Sequence, residues 1–126
     1  MDYFKNDWYK TLNKSQYTPP SKVFSIVWII LYSLMAYSYY TLYKQNGYVD
    51  SIFYYQLIIN ISWIYVFFSL HDITLSLILL GILIILVFIM YNKFKKENKL
   101  IGNLQLPYLL WLCIAFYLNF YIYQNN

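Results

Sequence analysis

Gln56, Asn60, Trp63 and Phe67 follow one another at spacings of four, three and four. On a helix that spacing turns two amides, an indole and a phenyl ring toward one face. Two further indoles, Trp28 and Trp111, stand on comparable stripes. One stripe runs Phe24, Trp28, Tyr32, Met35 and Tyr39, and the other Pro107, Trp111, Ala115, Leu118 and Asn119. Flat rings beside small or amide side chains offer stacking surface with polar handles, which suits a planar, largely apolar ligand. The same residues more often serve plain helix packing, and Asn60 reads first as an interhelical hydrogen bond and second as a ligand contact. Nothing else in the chain has the makings of a catalyst. There is no Ser/His/Asp or Cys/His arrangement, no paired carboxylates, no phosphate loop and no metal-ligand spacing. No catalytic or metal-binding residue is therefore assigned. His71 and Asp72 stand alone between two apolar runs, where a helix cap in a tight turn suits them better than axial ligation of a haem.

The elements that position these side chains are set by solvent. The chain has 126 residues, 61% hydrophobic and only 11% charged, against about 25% charged in an ordinary soluble domain. So little polar surface cannot cover a globule, and lipid must be the partner of most side chains. Four continuous apolar segments, at about 21–43, 51–70, 73–91 and 104–123, each approach the ~20 residues that cross a bilayer as a helix. Period-2 alternation is missing, which excludes a membrane barrel. The expected fold is all-α, a polytopic four-helix membrane bundle forming a single domain over 1–126, with 1–20 as an interfacial loop. The links are short, so consecutive helices should run antiparallel. The Asn46-Gly47 pair should stop the first helix, and "NKFKKENKLIGN" should form a basic third loop. The third helix, without a polar face, is expected to meet mostly lipid, and Cys113, inside an apolar run, merely to pack.

The net charge of +4 comes from nine lysines and no arginine. The lysines sit between or at the ends of the apolar runs, where they suit lipid headgroups rather than nucleic acid. Their distribution does not orient the bundle: four lie toward the N-terminal side and five toward the other. Lys22, just inside the first helix, can snorkel to headgroups or meet a ligand carboxylate. The first twenty residues lack the apolar core of a cleaved leader. Arginine is absent, and Lys, Asn, Ile and Tyr are abundant, a composition that hints at an AT-rich genome; a bacterial inner membrane is the default expectation.

Three stretches, "DWYKTLNKSQYTPPSKVFSIVW", "NISWIYVFF" and "LPYLLWLCIAFYLN", resemble in order and spacing the TspO/MBR family of translocator proteins, or tryptophan-rich sensory proteins. The resemblance implies an integral membrane bundle whose interhelical pocket accepts porphyrins and, in some members, sterols or benzodiazepine-type drugs. Carried over by motif, the pocket lining here would be Tyr9, Pro19, Phe24, Trp28, Asn60, Trp63, Trp111, Ala115 and Leu118. It implies no obligatory cofactor, a porphyrin such as protoporphyrin IX or haem as ligand, and the lipid bilayer as partner. Family members have a further helix ahead of the "WY" segment. This chain begins just before that segment, so its helices correspond to the second through fifth, and a homodimer could complete the missing wall. Lys22 stands where the family usually has tryptophan, and "LNFYIYQNN" lacks the basic residue of a proposed sterol motif. A ligand-binding receptor or regulator is the leading reading. Slow oxidative breakdown of bound porphyrin and a purely structural membrane subunit are the alternatives.

Overall fold

The structure, a computed structural model, describes residues 21–125. Tyr9, Pro19 and the expected interfacial segment lie outside them. Four long helices run α1 (Ser21–Asn46), α2 (Ile52–Phe68), α3 (Ile73–Glu97) and α5 (Leu106–Asn125), with a short α4 (Lys99–Asn103) before the last. Three of them, α1, α3 and α5, are long and apolar enough to cross a membrane. At 17 residues, α2 measures about 26 Å, near the lower end of spanning length. Because it connects α1 to α3 across the bundle, it completes the four-helix membrane fold.

Local chemistry sets the helix ends. Gly47, at φ 78°, takes the left-handed position that ends α1, its N–H bonding to the Tyr43 carbonyl at 2.7 Å. The Asp72 carboxylate caps α3 by accepting from the Leu75 amide at 2.9 Å, as the His71-Asp72 pair led us to expect. His71 itself turns the chain with φ 58°. Pro107 sits in the first turn of α5, where an absent N–H costs no intrahelical bond.

Several expectations need correction. Helix α1 ends at Asn46, where the Asn46-Gly47 pair was expected to stop it, a turn beyond the apolar segment; α2 is trimmed to Ile52–Phe68, and α5 starts at Leu106. Most of the "basic loop" is helical: α3 runs on to Glu97, and Asn98 then breaks it and caps α4 by accepting from the Leu100 and Ile101 amides. Lysine and glutamate are good helix formers, and no glycine or proline interrupts the run before Gly102. Polar contacts fasten this end. Gln45 donates to the Glu97 carbonyl at 2.9 Å, Asn98 donates to Gln45 at 3.1 Å, and Lys93 pairs with Asp50 at 3.5 Å.

Helix α3 turns most of its surface outward, as expected of a helix that mostly meets lipid, yet one stripe of it is the spine of the bundle. It lies backbone-close to both α2 and α5, and Leu80, Leu83, Val87, Met90 and Phe94 are all 0% exposed. An apolar helix shows no periodicity in sequence when lipid and protein want the same side chains. Its small residues permit the close approach: Ser76 is fully buried, and the ring of Phe116 lies 3.7 Å from where a Gly81 Cβ would stand. Cys113 is exposed, on the outer face of α5, because Trp111, Leu112 and Ala115 claim the inner one. Helix α1 stands apart. It comes into close backbone range chiefly of α4, and large side chains span its distance from α2 and α5.

The tightest backbone approach is at Gly102, where an added Cβ would sit 2.4 Å from the Lys95 Cα. Gly102→Ala should therefore push α4 off α3 and cost about 1–3 kcal/mol, seen as a lower midpoint of thermal unfolding in detergent. Gly81→Ala, meeting only an ordinary van der Waals contact, should leave the midpoint unchanged within a degree or two.

Candidate functional site

The space between α1, α2 and α5 is filled by side chains that must settle their polar groups without water. Tyr32 of α1 donates to the Asn60 side-chain oxygen of α2. The Asn60 amide nitrogen donates to the Tyr108 hydroxyl of α5 at 2.9 Å. Tyr108 in turn donates to the Gln56 side-chain oxygen at 2.7 Å, and the Gln56 amide returns to the sulfur of Met35 on α1 at 4.0 Å. Gln56 and Asn60 are 0% exposed and Tyr108 2%. The chain of donors thus starts and ends on α1, and Tyr108 is where α5 joins it. Of these residues only Asn60 belongs to the expected pocket lining. Its one-turn spacing from Gln56 was visible in sequence, but nothing there linked it to Tyr32 or Tyr108.

Above this network, toward the end where α1 begins, lies a cavity of about 30 Å³ lined by Phe24, Trp63, Phe67, Phe68, Ala115, Leu118, Asn119 and Ile122. Four of the expected lining residues, Phe24, Trp63, Ala115 and Leu118, meet there. Trp28, 1% exposed, lies behind the cavity, its ring centre 5.9 Å from Trp63, 5.6 Å from Tyr32 and 6.4 Å from Tyr108. Trp111 stands edge-on to Phe24 at 5.4 Å. Asn60 takes part in the network below and does not reach the wall. Phe67, Phe68, Asn119 and Ile122 join the wall without having been named as lining, although Phe67 and Asn119 fall on the faces read from helical spacing.

The polar balance of this region is lopsided. Trp63 donates to the Asn119 side-chain oxygen at 3.3 Å, but the Asn119 amide nitrogen and the indole nitrogens of Trp28 and Trp111 are buried without a hydrogen-bond partner. One of these donors is on the cavity wall and two are on rings packed against it. A buried unsatisfied donor costs roughly 1–3 kcal/mol, and a membrane interior gives it no water. Among the described residues no cluster of His, Cys, Asp and Glu could hold a metal ion.

A membrane-embedded helical bundle with an aromatic, donor-rich interhelical cavity defines the class. The chain belongs to the TspO/MBR family, whose model matches residues 2–124. Among its relatives, the tryptophan-rich protein TspO of Archaeoglobus fulgidus is 34% identical over 94% of this chain and 80% of its own length. The TspO of Bacillus cereus is 30% identical with the same coverage. The human translocator protein is 28% identical over 94% of this chain and 75% of its own length. The names of these relatives denote tryptophan-rich or translocator proteins and not enzymes.

If Tyr108 links the three helices, Tyr108→Phe strands the amides of Asn60 and Gln56 and should cost about 1–2 kcal/mol in detergent unfolding. Asn60→Leu should cost a similar amount. The double variant should lose clearly less than the sum of the two, since both remove one network; strict additivity would show that the residues act separately.

Proposed function

We propose that this chain is a sensory membrane protein that binds a porphyrin-type ligand between α1, α2 and α5, works by binding and not by catalysis, and serves tetrapyrrole or stress homeostasis in a bacterial cell membrane. The observation that carries the reading is the set of three buried, unpartnered donors, on Trp28, Trp111 and Asn119, grouped around an aromatic-walled cavity. A porphyrin matches them on both counts. Its carboxylates accept hydrogen bonds, and its macrocycle stacks on indole and phenyl rings, each such contact adding about 0.5–1.5 kcal/mol beyond burial. Family membership supports the same reading, as do the sensory and translocator names carried by relatives.

The fit has one physical condition. A cavity of about 30 Å³ has room for a water molecule, whereas ligand sites for drug-sized molecules span about 300–1,000 Å³. Binding must therefore enlarge the cavity. Helix α1 is the element able to yield, because its neighbours α2 and α5 are both anchored on α3 by close backbone packing.

The test is a Soret-band titration of the purified protein in nanodiscs with protoporphyrin IX. The wild type should bind saturably. The Trp28→Phe/Trp111→Phe variant loses two donors at about 0.5–1.5 kcal/mol each and should bind about tenfold to a hundredfold more weakly. Equal affinity in a variant that still unfolds cooperatively would remove the site.

A further inference from the structure

A ligand that lives in the bilayer has to cross the wall of the bundle, and the seams between helices differ in what closes them. Helices α2 and α3, and α3 and α5, lie backbone to backbone. Helices α2 and α5 are joined by hydrogen bonds from Asn60 to Tyr108 and from Trp63 to Asn119. Helices α1 and α2 are joined by Tyr32 with Asn60 and by Tyr39 with Tyr54. The remaining seam, α1 against α5, is hydrogen-bonded at the base of α5, where Gln105 donates to Ser38 at 2.9 Å, but along Val27–Leu31 it is closed by apolar and ring contacts.

That seam carries a groove of about 190 Å³ on the outer surface. Its rim, Ile30, Leu110 and Ile114, is 52%, 64% and 39% exposed. Its floor includes Leu31 and Trp111, 2% and 9% exposed. The next residue along from Ile114 is Ala115, which lines the inner cavity, and Trp111 touches the cavity wall through Phe24. Trp111 thus lies in the groove and against the cavity-lining Phe24, and its indole N–H is buried without a partner.

In lipid the ranking of seams is decided by polar groups. Parting two apolar surfaces exchanges protein contacts for equivalent contacts with acyl chains, at little net cost. Parting a hydrogen-bonded seam strands donors and acceptors where no water can reach them. We propose that the α1–α5 seam is the lateral entrance to the ligand cavity, with Trp111 as the movable plug between the bilayer and the site. The ligand class it passes is a flat apolar molecule dissolved in the membrane. This rests on the ligand reading above and adds its route.

The experiment is stopped-flow mixing of protoporphyrin-loaded vesicles with the full chain in nanodiscs, following porphyrin fluorescence. Ile30→Phe/Ile114→Phe fills the groove from two lipid-facing positions that bundle packing does not need. It should slow association and dissociation together by about tenfold, leaving Kd within about twofold. Ile30→Ala/Ile114→Ala should speed both, and keeps the proposal open to refutation should the bulky pair misfold. Ile58→Phe, on the lipid face of α2, should change neither. Saturable binding with unaltered rates in both groove variants overturns the entrance and points to entry from an end of the bundle. Failure of the wild type itself to bind protoporphyrin overturns the ligand reading and the entrance with it.

Discussion

Tyr108 puts one phenolic hydroxyl between two amides in the middle of a membrane, accepting from Asn60 and donating to Gln56. The rest of the bundle is arranged around that constraint. In hydrocarbon the amides of α2 need partners as urgently as the backbone does, and Tyr32 and Tyr108 bring α1 and α5 to supply them. The tyrosine rings are long, so satisfying the network holds α1 away from α2 and α5. Other large rings then fill the resulting gap. The polar network explains both why the helices assemble and why they do not close.

Helix α3 has the opposite chemistry. With Ser76 and Gly81 on its packing surfaces and no buried amide to satisfy, it approaches α2 and α5 closely. The bundle therefore has a tight side built on backbone proximity and a loose side built on aromatic side chains and a few hydrogen bonds. Buried N–H groups without partners occur on the loose side, at Trp28, Trp111 and Asn119.

Much of this was legible in sequence where polarity varied. The four-three-four spacing from Gln56 to Phe67 marked a face that is buried at every position. Asn46-Gly47 marked the end of α1, and Asp72 the cap of α3. Where every residue was apolar the sequence carried no orientation. The burial of α3 and the outward position of Cys113 followed from which neighbour came closest, a tertiary fact. The lysine-rich stretch after Tyr91 is helical for a related reason: beyond the hydrocarbon, charge no longer opposes helix, and helix propensity decides. Trp111 was singled out by motif, but its place on the floor of an outer groove, edge-on to Phe24 of the cavity wall, was not legible.

The central claim is that the stand-off of α1 is a site able to widen. Pulsed electron-spin distances in nanodiscs test it most directly, with labels on the outer faces of α1 and α5 and a reference pair on α2 and α3, before and after adding protoporphyrin IX. The account predicts a longer α1–α5 distance on binding and an unchanged α2–α3 distance. Ligand binding with all distances unchanged, or with α3 moving and α1 fixed, would contradict it.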